Sequence, residues 1–311
     1  MLLYIVFLIA GLLLIIYGAD VLVEGASTIA RKAKISEFVI GLTIVGFGTS
    51  CPELVVSLPG AIQGNADISV GNVIGSNIFN VLLSLGLIAV IAPVAITKAN
   101  SRRDIPVALL VTFLFAFLGT LGGGLSRIEG AIFLVLFASY IYMSFKTDSG
   151  ADAGAEESKI KNVWVAVLAC AAGLAGLIFG GQLFVNNATE LARAVGVSDK
   201  FIAITLLAGG TSLPELATCI VAARKGKDQL ALGNILGSNV FNILLILGLS
   251  AVVTPLSFAS INMVDILAVV LSVVLLWMWT YTGKKNVIDR WEGALMLAGY
   301  IIYIVLLSNN M

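Results

Sequence analysis

Long apolar runs separated by short polar intervals dominate the chain. A hydrocarbon core of about 30 Å takes about 20 residues of helix to cross. That ruler predicts ten spans, over residues 2–22, 38–59, 67–91, 105–123, 127–145, 162–185, 200–222, 229–253, 263–281 and 290–307. The pattern is broken at one conspicuous place in the second span, where FVIGLTIVGFG runs into TSCPE before LVVSLPG resumes the apolar run. Thr49, Ser50, Pro52 and Glu53 are thereby set at the depth where polar groups are most costly.

The same interruption recurs. GTSCPE ends at Glu53 and GTSLPE at Glu215, an offset of 162, and at that offset GNVIGSNIFNVLLSLG (71–86) meets GNILGSNVFNILLILG (233–248) with 11 of 16 positions identical. Gly18 meets Gly180, Ala26 meets Ala188 and Ser36 meets Ser198. The chain therefore divides into a first five-span repeat, 1–145, and a second, 162–311. The hydrophilic segment 146–161, rich in Gly, Ala, Ser and charge, has the composition of a flexible linker. Five is odd, so the second half enters the membrane from the opposite side. The predicted fold class is an all-α membrane protein with ten transmembrane helices in two inverted five-helix repeats and discontinuous helices at the core, an architecture that places substrate near the midplane.

Composition strengthens this picture. Of 311 residues, 59% are hydrophobic and 12% charged, with a mean hydropathy of +1.05, values of an integral membrane protein. The 18 basic residues balance the 18 acidic ones, so the information lies in their placement. Fifteen of the 18 follow odd-numbered spans, and only Arg127, Arg193 and Lys200 follow even-numbered ones. Basic residues are retained on the cytoplasmic side, so both termini are expected to face outward. The first apolar run lacks a basic leader and recurs in the repeat, so it reads as a mature span. Histidine is absent, which removes His-based relays, Ser-His catalysis and His-ligated metals. Cys51, Cys170 and Cys219 are odd in number, sit in apolar runs and read as small buried hydrophobes.

Among the acidic residues, Glu53 and Glu215 fall well inside spans, and no lysine or arginine lies at matching depth. An intramembrane carboxylate needs a partner, and a mobile cation is the partner expected here. Thr49 and Ser50 precede Glu53 by four and three residues, as Thr211 and Ser212 precede Glu215, so on a continuous helix their hydroxyls share its side. Pro52 and Pro214 cannot complete the helical hydrogen bonds to Gly48 and Gly210, which predicts breaks that free carbonyls into a cavity. Polar stripes at Asn72, Ser76 and Asn80, and at Asn234, Ser238 and Asn242, are spaced to face inward. Carboxylates, hydroxyls, amides and carbonyls form a hard-oxygen set that suits Ca²⁺, whereas Zn²⁺ prefers nitrogen and sulfur. Two carboxylates neutralise one divalent ion or attract monovalent ions across the neighbouring oxygens. Competition between these two fillings is a mechanism for exchange.

These motifs resemble the two α-repeats of the cation/Ca²⁺ antiporter superfamily, specifically the prokaryotic Na⁺/Ca²⁺ exchangers, over nearly the whole chain. The resemblance implies that spans 2, 3, 7 and 8 form a compact core while spans 1 and 6 slide across it. It also implies ion coordination by Thr49, Ser50, Glu53, Ser76 and Asn80, by Thr211, Ser212, Glu215, Ser238 and Asn242, and by the carbonyls of Gly46, Ala208 and the two threonines. Some relatives carry an aspartate in place of Asn242, tied to K⁺ in the potassium-dependent branch; the amide here suggests K⁺ independence. The expected function is Na⁺-driven Ca²⁺ antiport across the prokaryotic inner membrane, with Ca²⁺, Na⁺ and the lipid bilayer as partners. No enzymatic activity, cofactor, nucleic acid or obligate protein partner is expected. The rivals are an H⁺/Ca²⁺ antiporter using the same glutamates, a cation channel, which the inverted halves disfavour, and a membrane hydrolase at Ser50 or Ser212, which lacks the usual base.

Overall fold

The computed structural model describes residues 1–148, 160–196, 208–259, 261–282 and 286–310. The first half contains α1 (Leu2–Ala33), α2 (Glu37–Thr49), α3 (Cys51–Ile62), α4 (Ala66–Ile91), α5 (Asn100–Leu121) and α6 (Arg127–Lys146). The second contains α7 (Val163–Ala194), a turn at Ala208–Gly210, α8 (Leu213–Arg224), α9 (Asp228–Val253), α10 (Met263–Trp279) and α11 (Arg290–Asn310).

Among the described residues seven helices are long and apolar enough to cross a bilayer, and α2 and α3, bent by 52° at their junction, together pass as an eighth. Helix α10 is apolar but shorter. Residues 200–207 of the predicted seventh span, and 149–159 of the predicted linker, lie outside the described residues. Helices α1 and α7 run on to Ala33 and Ala194, well beyond the ends that the apolar ruler predicts. The ruler stops where polar residues begin, but helix continues through Asp20 and Glu24 in one and Asn186 and Asn187 in the other.

Among the described residues four helices carry π-helical segments that the pattern does not reveal: Gly41–Val45 in α2, Phe79–Leu85 in α4, Asn100–Asp104 in α5 and Phe241–Leu247 in α9. Such segments alter which side chains share a face and are frequent at functional sites. Two clasps join the halves outside the helices. Strand β1 (Val94–Ala95) pairs antiparallel with β4 (Val287–Ile288), and β2 (Gly124–Leu125) with β3 (Leu256–Ser257). Two-residue strands are too short to show alternation in sequence.

Burial divides the helices into centre and periphery. The apolar windows of α4 and α9 are 72% and 83% buried, those of α1 and α7 only 22% and 28%. Glycine brings backbones together in both regions. In the centre α2 lies directly on α9: a Cβ on Gly233 would sit 2.2 Å from the Phe38 carbonyl oxygen, and one on Gly237 2.4 Å from that of Leu42. At the periphery α1 and α7 pack along a glycine track, where Cβ atoms on Gly11, Gly18 and Gly25 would meet the backbone of α7 at 2.7–2.9 Å. Between helices in lipid, where there is no hydrophobic drive to associate, such close backbone contact supplies the attraction.

Gly18→Val should therefore push α1 and α7 apart and lower stability by about 1–3 kcal/mol, the usual cost of overpacking. Gly299→Ala on α11, whose new Cβ would find its nearest neighbour at 3.9 Å, serves as the neutral control. Thermal unfolding in detergent checks both, and equal melting temperatures would refute the close-contact account.

Candidate ion-binding site

The polar interruption of the second span becomes a physical break. Helix α2 ends at Thr49, Ser50 leaves helical geometry (φ −85°, ψ 6°), and Pro52 occupies the first turn of α3. There a missing N–H costs nothing. Helix α8 begins in the same way, with Ser212 at φ −91°, ψ 5° and Pro214 in its first turn.

This break overturns one expected detail. Spacing on a continuous helix would set Ser50 beside Glu53. Instead Ser50 Oγ donates to Glu215 Oε1 at 2.9 Å and Ser212 Oγ donates to Glu53 Oε1 at 3.0 Å. Each motif's serine serves the other motif's carboxylate, because the kink turns Ser50 out of the register that i, i+3 spacing assumes. Ser76 Oγ adds a second donor to Glu53 Oε1 at 3.2 Å, and Ser238 Oγ to Glu215 Oε1 at 3.4 Å.

The threonines are turned to bracing. Thr49 Oγ1 donates to the Val45 carbonyl at 3.0 Å and lies 3.1 Å from Asn234 Oδ1; Thr211 Oγ1 lies 3.4 Å from Asn72 Oδ1. Asn72 Nδ2 donates to the Glu53 carbonyl at 3.3 Å, and Asn234 Nδ2 lies 3.5 Å from that of Glu215. The Gly46 carbonyl of the first half is 3.4 Å from Ser238 Oγ of the second. Ala208 opens the short turn just ahead of Thr211.

Thr49, Ser50, Glu53, Ser76, Asn80, Ser212, Glu215, Ser238 and Asn242 are all buried, and Thr211 is half-buried. Four of their oxygens find no hydrogen-bond partner among the described residues: Glu53 Oε2, Glu215 Oε2, Asn80 Oδ1 and Asn242 Oδ1. Other buried carboxylates in the protein do find partners. Asp104 pairs with Arg103 at 2.8 Å, Glu37 with Lys227 at 3.0 Å, and Glu292 accepts from Thr282 Oγ1 at 3.1 Å and the Asp289 N–H at 2.8 Å. Among the described residues no lysine or arginine pairs with Glu53 or Glu215. An ionised carboxylate left so would cost several kcal/mol. Among the described residues no group of three or more His, Cys, Asp or Glu is placed to hold a metal ion, and the site consists of two carboxyl groups amid neutral oxygens.

A cavity of about 340 Å³ reaches both motifs, lined by Cys51, Pro52, Thr211 and Pro214 and, from α7, by Gln182 and Asn186. Two residues that the sequence reading passes over, Asn77 and Asn239, lie buried where α4 meets α9. The signal for them is their recurrence at the offset of 162, as the third residue of GSN in both copies.

Broken helices that meet around buried acceptors inside the membrane define the architecture of an ion transporter. The chain belongs to the sodium/calcium exchanger protein family, whose model matches it twice, over residues 3–146 and 165–309. It is 34% identical to the sodium/calcium exchanger MaX1 of Methanosarcina acetivorans, covering 96% of this chain and 97% of that one. It is 35% identical to the inner membrane protein YrbG of Escherichia coli, over 99% and 97% of the two chains. Among solved structures, the sodium-calcium exchanger NCX_Mj soaked with zero Na⁺ and Ca²⁺ superposes with a TM-score of 0.86 at 36% identity, covering 98% of this chain and 99% of that one.

Cys51 is partly exposed and lines the cavity, whereas Cys170 and Cys219 are buried. A small water-soluble thiol reagent should therefore label Cys51 alone and, by filling the space beside Pro52, block Ca²⁺ binding; Cys51→Ser should be immune. Mass spectrometry and Ca²⁺ titration check this, and full binding after complete labelling would show that the cavity is not the way in.

Proposed function

We propose that this protein is a secondary active antiporter that exchanges Na⁺ for Ca²⁺ across the cell membrane by alternating access and extrudes Ca²⁺ from the cytoplasm. The observation that carries this is the set of four buried, unpartnered oxygens, two from carboxylates and two from amides, related in pairs by the offset of 162. A divalent ion between Glu53 and Glu215 is matched in charge, and Asn80, Asn242, Ser50, Ser76, Ser212 and Ser238 bring the oxygens available toward the six to eight that Ca²⁺ takes. The same neutral oxygens, with the carbonyls of Gly46, Ala208 and the two threonines, suit Na⁺ better than a proton. Thr49 and Thr211 belong to this set through the backbone they brace.

Support also comes from relatives. MaX1 is named a sodium/calcium exchanger, and NCX_Mj structures were obtained with Na⁺ and Ca²⁺ or Sr²⁺. The two separate matches of the family model support a division into 1–145, the linker 146–161 and 162–311. The clustering of basic residues after odd-numbered spans supports outward termini, and the name of the Escherichia coli relative supports an inner-membrane location. In the cycle, α1 and α7 move as one body over the centre built on α4 and α9. If more than two Na⁺ move per Ca²⁺, a potential of 100 mV contributes about 2.3 kcal/mol per net charge toward extrusion.

Reconstituted in liposomes, the protein should take up ⁴⁵Ca²⁺ under an imposed Na⁺ gradient and not under K⁺ or H⁺ gradients. Glu53→Gln and Glu215→Gln should each reduce that flux to background. Full flux in either variant, or uptake driven by a pH gradient without Na⁺, would overturn the proposal. A protease-cleavable tag at either terminus should be cut from outside intact cells; protection of both would invert the topology.

A further inference from the structure

We infer that Asn77 and Asn239 are positioning residues that fix which end of the Asn80 and Asn242 amides faces the ions. The inference rests on the reading above, in which Asn80 and Asn242 are ion ligands. An asparagine side chain has an acceptor end and a donor end of nearly the same shape. Turned one way, the amide offers a cation an oxygen; turned the other, it presents N–H groups that repel it. Something must therefore choose the orientation.

The choice can be traced to groups that cannot turn over. Asn77 Nδ2 donates to the backbone carbonyl of Asn239 at 3.2 Å, and Asn239 Nδ2 donates to that of Asn77 at 3.3 Å. A carbonyl only accepts, so the NH₂ ends of these two residues are committed and their Oδ1 atoms remain as acceptors. Each of those acceptors requires a donor, and finds it on the facing helix. Asn80 Nδ2 donates to Asn239 Oδ1 at 3.1 Å, and Asn242 Nδ2 donates to Asn77 Oδ1 at 3.0 Å. With its NH₂ so held, each of Asn80 and Asn242 has its oxygen directed elsewhere, and these are two of the four buried oxygens without a partner. The polarity of the site is passed from two backbone carbonyls, through Asn77 and Asn239, to the two ligands.

The relay crosses between helices: Asn77 of α4 sets Asn242 of α9, and Asn239 of α9 sets Asn80 of α4. No residue orients the asparagine three positions along its own helix. A purely structural role in joining α4 to α9 would show no such partner preference.

Double-variant cycles on the purified protein test this, with Na⁺ and Ca²⁺ titrations followed by thermal shift. Asn77→Ala should raise the half-saturating Na⁺ concentration roughly tenfold, the size of one lost contact to a charge. Asn242→Ala should do about the same, and the double variant should be no worse than Asn242→Ala alone. Asn77→Ala combined with Asn80→Ala, which share a helix but no bond, should multiply. Multiplicative effects in the Asn77/Asn242 pair, or equal coupling in both pairs, would overturn the inference. If Asn77→Ala does not fold, the mirror cycle of Asn239→Ala with Asn80→Ala decides the same question. Liposome flux of the unmodified protein, measured alongside, tells the two failures apart: loss of Na⁺ dependence there removes the transport reading, while the cation titrations still judge the relay.

Discussion

A carboxylate taken out of water costs several kcal/mol unless positive charge or good donors meet it, and inside this membrane protein Glu53 and Glu215 meet serine hydroxyls and, among the described residues, no lysine or arginine. Much of the core follows from that constraint. Ser76 and Ser238 reach the carboxylates from within α4 and α9, whereas Ser50 and Ser212 reach them across the halves from helix junctions with a proline just beyond. Breaks at membrane depth are tolerable only when surrounded by protein, which requires the close encirclement that α4 and α9 provide. Close encirclement in turn needs glycine at the α2–α9 contact, since any side chain at Gly233 would collide with the backbone opposite. The polar site and the apolar packing are thus one solution to one electrostatic problem.

Much of this was legible in the sequence because the governing signals are local. Spans follow from run length, the repeat from identity at a fixed offset, and the breaks from a proline three residues after a mid-membrane threonine. What escaped was geometry that depends on the breaks themselves. Placing Ser50 beside Glu53 assumes an unbroken helix, the very thing Pro52 prevents. Asn77 and Asn239 fall between the positions of polar stripes spaced by four, so that spacing does not single them out. The π-helical segments at Phe79–Leu85 and Phe241–Leu247 leave no trace in hydrophobicity, since a widened turn keeps the same apolar residues and only rotates them.

The centre and the periphery are built for different purposes. Helices α4 and α9 are tied by four asparagine bonds that admit one arrangement. Helices α1 and α7 touch each other through glycine and expose most of their surface. Helix α1 is also tied to the end of α8, where Lys225 meets Asp20 at 2.6 Å. At the offset of 162, Asp20 and Glu24 correspond to Gln182 and Asn186, which line the cavity. The ion pair on one side of the pseudo-symmetric molecule is thus matched by neutral amides on the other.

The crossed serines carry a further meaning for how such a protein can be assembled. Each glutamate takes one hydroxyl from its own half, that of Ser76 or Ser238, and a second from the other copy of the motif, so a chain with a single copy would lack one of the two donors. Two such chains could satisfy one another only by lying in the bilayer head to tail. Carrying both copies end to end in one chain makes permanent a handshake that separate molecules would have to find.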